Sequence, residues 1–183
     1  MIAEGVGARV IMPDFLDGEP WPLDKPIVAS ELMKWIGEVG TWEKLGASWT
    51  ALVERLRAQG VKKIGAMGFC WGGKVAMKAT EAGLSDATAS PHPSFFRHDF
   101  FHPLPKAPVC LLLSKDDPQM EEEEKLVKAH EGSNPISVFE RFPNMHHGFM
   151  AARGDFNNPE NKREMERGVN ILINFYKKAF GLA

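Results

Sequence analysis

One short run constrains this chain more than any other feature: Gly68-Phe69-Cys70-Trp71-Gly72-Gly73. An apolar stretch over residues 64–67 precedes it, and a stretch with helical spacing over residues 74–79 follows it. This order predicts a strand, a sharp turn and a helix, with a cysteine at the tip of the turn. Gly68 and Gly72 stand two positions to either side of Cys70, where so tight a turn leaves no room for side chains. We therefore interpret Cys70 as a nucleophile, with the backbone N–H of Trp71 directed at a developing oxyanion.

The rest of the chain alternates short apolar runs with helical patterns. This alternation predicts an α/β fold with a mostly parallel sheet and helices on both faces. Strands are predicted at residues 8–12, 63–67, 87–90, 109–113 and 137–142. Helices are predicted at 30–36, at 41–59, from the turn to about residue 82, at 120–131 and from Pro159 onward. Loops are predicted at residues 14–28 and 95–107. With no internal repeat and 183 residues, we expect a single domain over residues 1–183.

Composition narrows the function classes. The net charge is -2 and the apolar fraction is 44%, which gives no reason to expect nucleic acid or a membrane surface as a partner. No apolar run approaches membrane-spanning length. The two cysteines, Cys70 and Cys110, do not form a disulfide framework, so we expect a reducing, cytoplasmic location.

A nucleophilic thiol needs a base, and the base needs a carboxylate to orient it. His146 and His147 follow the strand predicted at 137–142, and Asp116 and Asp117 follow the one at 109–113. Cysteine, aspartate and histidine thus occur in the order nucleophile, acid, base, each after its own strand. Two adjacent histidines cannot both face one thiol, and an aspartate here also serves as a helix cap. The residues alone leave both choices open.

These motifs together resemble the dienelactone hydrolase family, which are α/β-hydrolases with a Cys-Asp-His triad that open small lactones and esters. The motifs that carry the resemblance are residues 68–73, Asp116-Asp117-Pro118, His147-Gly148-Phe149, the loop over residues 12–21, and His92-Pro93-Ser94, which resembles a segment of the family's eukaryotic members. The resemblance covers essentially the whole chain. It implies a small ester or lactone as substrate and no metal or organic cofactor.

Carried over position by position, the resemblance assigns the site residues. Cys70 is the nucleophile, His147 the base, and Asp117 the acid, with Asp116 as the fallback. The implied oxyanion and substrate pocket contains Trp71, Phe149, Arg153 and His92. Arg153 lies near the position of a substrate-binding arginine in some members, although it fits an exposed charge equally well.

The resemblance also predicts a departure from the family. Members usually carry further elements upstream of the strand at 8–12, including a central strand and the loop that supplies a second oxyanion N–H. We therefore expect an N-terminally truncated α/β-hydrolase-like fold, or a fragment of a longer product. Because an exposed strand edge tends to pair, either the first strand closes against the strand at 63–67 or a homodimer covers the edge.

The leading functional hypothesis is hydrolysis of small esters or lactones by Cys70. One alternative is a non-catalytic or weakly active hydrolase-like domain that binds a small ligand or partner. A second is a flavodoxin-like cysteine amidase, which the Trp71-Gly72-Gly73 and His147-Gly148-Phe149 runs disfavour.

Overall fold

The computed structural model describes residues 1–18, 20–22, 24–94, 106–117, 125, 128 and 136–182. The chain divides into two compact units, one of residues 1–8 with 63–183 and the other of residues 9–62. The described elements, in chain order, are α1 (Ile2–Val6), α2 (Ala29–Val39), α3 (Trp42–Ala58), β1 (Gly65–Met67), α4 (Trp71–Glu81), β2 (Ala87–Pro91), β3 (Val109–Ser114), β4 (Val138–Phe142) and α5 (Pro159–Phe180). The single domain over residues 1–183 stays a prediction.

The first unit contains a four-stranded parallel sheet in the order β1-β2-β3-β4. The two inner strands, β2 and β3, are buried along their whole length. A parallel strand covered on both faces needs apolar or small residues at every position, which explains the unbroken run Val109-Cys110-Leu111-Leu112-Leu113. Because all four strands are parallel, their carboxyl ends lie at one edge of the sheet.

Helices cover both faces of this sheet. Ala89 and Cys110 belong to the same buried cluster as Leu172 and Phe175 of α5. Gly73 of α4 instead approaches Ser90, the neighbour of Ala89 in β2. Successive residues of a strand point to opposite faces, so α4 and α5 lie on opposite faces of the sheet. The α/β architecture predicted from the sequence is therefore confirmed.

The long helix α5 has clear signals at both ends. The Asn158 side chain accepts hydrogen bonds from the backbone N–H groups of Glu160 and Asn161, and Pro159 occupies the first turn. Gly181 ends the helix in the left-handed conformation, with φ 70°. Near this end, the Tyr176 hydroxyl donates to the Ala66 carbonyl over 2.7 Å. This bond fastens α5 to β1.

The second unit is helical, with α2 and α3 preceded by a folded loop. The Asp14 carboxylate accepts hydrogen bonds from the N–H groups of Leu16 and Gly18. The Phe15 ring stacks on Trp49 of α3, with 5.2 Å between ring centroids. No helix in the described part of the chain is long and apolar enough to cross a membrane.

The strand predicted over residues 8–12 is wrong. These residues have no regular structure, and Val10, Ile11 and Met12 are 58%, 42% and 93% exposed. An apolar run forms a strand only where a neighbour provides ladder partners, and among the described residues β1 pairs with β2 alone. This segment therefore does not close the sheet, and a homodimer stays a prediction. Most of the helix predicted at 120–131 and most of the loop at 95–107 lie outside the described residues.

Candidate active site

The predicted strand, turn and helix around Cys70 are present. β1 ends at Met67, and α4 begins at Trp71 with Cys70 as its N-cap residue. Cys70 has φ 51° and ψ -124°, a conformation that is costly for any residue with a Cβ. This backbone places the thiol at the N-terminus of α4, where the helix dipole favours a negative charge.

Two glycines make the turn sterically feasible. A Cβ on Gly68 would overlap the carbonyl of Gly72, and a Cβ on Gly73 would overlap the Ser90 hydroxyl. A Cβ on Gly72 would meet no described atom within 4 Å. Gly68 and Gly73 are therefore required by close packing, whereas Gly72 is not.

The end of β2 holds the turn in place. The Ser90 hydroxyl donates to the Gly68 carbonyl over 3.0 Å, and the Cys70 N–H donates to the Pro91 carbonyl over 3.4 Å. Beyond the strand, the Ser94 N–H donates to the Cys70 carbonyl over 3.2 Å. The Ser94 Oγ also lies 3.0 Å from the Cys70 Sγ. Sequence reasoning missed Ser90 and Ser94 as contacts of the turn, because only the resemblance of His92-Pro93-Ser94 drew attention to this segment.

The two aspartates after β3 contact different parts of His147. The Oδ1 of Asp117 lies 2.5 Å from the imidazole Nδ1, and its Oδ2 accepts the Ser114 N–H over 2.6 Å. Among the described residues, the Asp116 carboxylate accepts a hydrogen bond from the backbone N–H of His147, over 3.1 Å, and none from its ring. The Asp117 side chain is 1% exposed, so its charge faces His147 with little screening by solvent. Asp117 is thus the carboxylate that can orient the imidazole.

The His147-Gly148-Phe149 run presents the imidazole at the end of β4. Gly148 has φ 88°, which a residue with a Cβ rarely adopts. Phe149 is fully buried, with its ring centroid 5.0 Å from that of Phe142. The glycine turns the chain and the phenylalanine anchors it, so His147 points toward Cys70. Phe149 was predicted for the substrate pocket and lies in the core.

The His147 imidazole lowers the pKa of Cys70, and the Cys70 thiol raises the pKa of His147, in both cases through a side-chain hydrogen bond and through charge. Burial raises the pKa of the Cys70 thiol, but hydrogen bonds from His147, Ser94 and the Trp71 N–H together outweigh it and leave the pKa below its ordinary value. The hydrogen bond to Asp117, followed by the one to Cys70, raises the pKa of His147 to about 9. Both shifts favour the thiolate–imidazolium pair over the neutral pair.

His92 is a buried neighbour of this pair. It is 1% exposed, its φ is 37°, and its ring centroid lies 5.0 Å from that of His147. Neither ring nitrogen has a hydrogen-bond partner among the described residues. Burial, together with the charge of His147, lowers the pKa of His92 to about 4, so the ring is neutral and adds no positive charge beside the imidazolium.

Other residues predicted for the site have supporting contacts. The Arg153 guanidinium donates to the His147 carbonyl over 2.9 Å. The ring Nε2 of His146 lies 3.1 Å from the Arg153 carbonyl, so this histidine faces away from the thiol pair. The Trp71 N–H donates toward Cys70. Substrate contacts by Arg153 and His92 stay predictions. The described residues hold no cluster of three potential metal ligands.

A parallel α/β sheet with a cysteine at a strand–helix turn, and a histidine and an aspartate after later strands, defines the α/β-hydrolase class. Residues 3–180 match the model of the dienelactone hydrolase family, and the chain belongs to that family. It is 36% and 33% identical to two AIM2 family proteins of Schizosaccharomyces pombe, each match covering 93% of this chain and 72% of the relative. It is 27% identical to the hydrolase pyvD of Aspergillus violaceofuscus, over 94% of this chain and 71% of that protein.

Proposed function

We propose that this chain hydrolyses small esters or lactones through a thioester on Cys70. The observation that carries the proposal is the 2.5 Å contact between the Asp117 carboxylate and the imidazole of His147, together with the lowering of the Cys70 pKa by the same imidazole. Membership in a hydrolase family supports the same reaction class.

The first half of the reaction forms the acyl-enzyme. The Cys70 thiolate attacks the carbonyl carbon, and the oxyanion accepts a hydrogen bond from the Trp71 N–H. When the tetrahedral intermediate collapses, the carbon–oxygen bond of the leaving group breaks and the His147 imidazolium gives its proton to the leaving alkoxide. The products are a neutral imidazole, an acylated Cys70 and an alcohol. A lactone follows the same steps, with the alcohol still attached to the acyl group.

The second half depends on a change at His147. Its pKa is raised partly by Cys70, and an acylated sulfur no longer supplies that contribution. The neutral imidazole accepts a proton from water as the water attacks the thioester. Expulsion of the thiolate gives the acid and restores the thiolate–imidazolium pair. In both halves Asp117 holds the tautomer of His147 and stabilises the positive charge of its imidazolium.

The test is hydrolysis of a chromogenic acetyl ester. Cys70→Ala is expected to abolish the reaction and the acetylated-protein mass that accumulates in wild type. Cys110→Ala is the matched control, because Cys110 is fully buried near the start of β3, whereas Asp117 follows the other end of that strand. Retention of the wild-type rate by Cys70→Ala would contradict the assignment of the nucleophile.

The alternative of a non-catalytic or weakly active binding domain makes a different prediction. An inert domain needs no activated thiol, so the pKa of Cys70 would lie near its usual value of about 8.5. Alkylation of Cys70 by iodoacetamide, measured against pH, separates the two. Family membership argues against the flavodoxin-like amidase.

A further inference from the structure

Ser94 is a polar neighbour of Cys70 that the proposed mechanism does not use. It lies three residues beyond the end of β2 and is half-buried. Its Oγ is 3.0 Å from the Cys70 Sγ, and its N–H donates to the Cys70 carbonyl. The hydrogen bond from the Ser94 N–H to the Cys70 carbonyl fixes the backbone of Ser94 beside Cys70. This places the Ser94 hydroxyl next to the sulfur.

The direction of this hydrogen bond follows from the charge on the sulfur. Either atom could donate when the thiol is protonated, although S–H is a weak donor. A thiolate has no proton and is a strong acceptor, so the Ser94 O–H must then be the donor. His147 and the Trp71 N–H also donate to this sulfur. A buried anion that accepts several hydrogen bonds is held in its charged form.

We propose that Ser94 is a catalytic residue whose hydroxyl donates to the Cys70 thiolate and holds the nucleophile ionised in the resting site. When the sulfur attacks a carbonyl carbon it loses its charge, and the hydroxyl then loses its strong acceptor. The bond therefore stabilises the resting thiolate more than the acyl-enzyme. This inference rests on the proposed thiolate form of Cys70, but not on esterase activity.

A hydrogen bond to the thiolate has two opposite effects on reactivity. It increases the fraction of sulfur that is ionised at low pH, and it lowers the intrinsic nucleophilicity of each thiolate. Nucleophilicity rises with thiol pKa with a Brønsted slope of about 0.4–0.5. Removing the donor should therefore slow alkylation at low pH and speed it at high pH. A purely structural role would not produce this crossover.

The experiment is the pH profile of Cys70 alkylation by iodoacetamide from pH 5 to 10. Cys110 is 0% exposed and its pKa is raised by burial, so the reaction reports on Cys70. In Ser94→Ala the midpoint should rise by about one pH unit. Well below both midpoints the thiolate fraction then falls about tenfold while each thiolate reacts about 2.5- to 3-fold faster, so the net rate should fall about 3- to 4-fold. The plateau at high pH should rise about 2.5- to 3-fold.

Two comparisons separate the hydroxyl from shape and folding. Ser94→Thr keeps the hydroxyl, and Ser94→Val has nearly the shape of threonine without the hydroxyl. Only the valine variant should therefore shift the midpoint of the alkylation profile. This pair also serves if Ser94→Ala fails to fold. Ser85→Ala is the matched control, because it removes a buried serine hydroxyl, bonded to Thr80, at the opposite end of β2. Its profile should match wild type.

The outcomes distinguish this inference from the proposed function. An unchanged or lowered midpoint in Ser94→Ala and Ser94→Val overturns the inference, because the thiol would then be donating to Ser94. If wild type hydrolyses the ester but the midpoint does not move, the inference fails alone. If the midpoint moves as expected but wild type hydrolyses no ester, the proposed function fails and the role of Ser94 stands.

Discussion

Replacing Asp117 by asparagine should uncouple His147 from Cys70 with little change in shape. The carboxylate accepts two hydrogen bonds, from the Ser114 N–H and from the His147 ring. An amide has one acceptor oxygen, so if that oxygen keeps the Ser114 bond, its NH₂ group faces the imidazole Nδ1. Nδ1 must then be unprotonated, which places the remaining proton on the nitrogen that faces Cys70. That tautomer cannot accept a proton from the thiol or from water.

The magnitude follows from the pKa of His147. It lies at about 9 against an ordinary value of 6.5, and a difference of about 2.5 units corresponds to about 3.4 kcal/mol. Asp117 and Cys70 share this stabilisation. Assigning half of it to the lost carboxylate gives about 1.7 kcal/mol, or roughly a 20-fold weaker preference for the imidazolium. The thiolate loses the same charge partner, so the pKa of Cys70 should rise by about one unit.

The assay is again iodoacetamide alkylation of Cys70 against pH, combined with ester hydrolysis. Asp117→Asn should move the alkylation midpoint upward and reduce hydrolysis by orders of magnitude, because a serine-protease triad loses about 10⁴ in kcat on the same change. Asp116→Asn is the matched control, since among the described residues Asp116 accepts the backbone N–H of His147 and does not contact its ring. Equal midpoints in the two variants, or a larger shift for Asp116→Asn, would refute the assignment of Asp117 as the acid.

Two further predictions concern the turn and its buried neighbour. Gly73→Ala should lower the free energy of unfolding by about 1–3 kcal/mol, because the added Cβ would overlap Ser90. Gly72→Ala should leave that free energy unchanged or raise it slightly, because its Cβ would meet no described atom. Urea unfolding measures both, and equal effects would contradict the packing argument. His92 has a pKa of 6.5 in the unfolded state and about 4 in the folded state, so the unfolded state binds the extra proton between these pH values. Acidification from pH 6.5 to 4 should therefore lower the free energy of unfolding by up to about 3 kcal/mol. Urea midpoints at the two pH values should differ less in His92→Asn than in wild type, and an undiminished difference would assign the acid sensitivity to other groups.

The sequence predicted the elements that have a local signal. The turn at residues 68–73 has its glycines at fixed spacing from the cysteine, and the strand at residues 109–113 has an unbroken apolar run, so both were confirmed. The run at residues 8–12 has a comparable signal and forms no strand, because a strand depends on ladder partners as well as on its own residues. Local pattern indicates what a segment can form, and pairing determines whether it does.

Contacts between distant segments were harder to predict. Spacing alone left Asp116 and Asp117 open, and the choice made from the family register coincides with the carboxylate that reaches the imidazole. The contact between Ser94 and Cys70 spans 24 residues of chain and has no periodic signature. Such contacts depend on the parallel order of the strands, which brings segments after neighbouring strands to the same edge of the sheet.

The position of the nucleophile depends on β2 as much as on β1. The backbone of Cys70 occupies a region that costs about 1–3 kcal/mol, and such strain persists only where the surroundings enforce it. Here the enforcement comes from the end of β2, through the Pro91 carbonyl on one side of Cys70 and the Ser94 N–H on the other. A change that loosened this segment would move the sulfur away from His147 without substituting any triad residue. Residues 90–94 therefore belong to the active-site scaffold, although their backbone hydrogen bonds take no part in the chemistry.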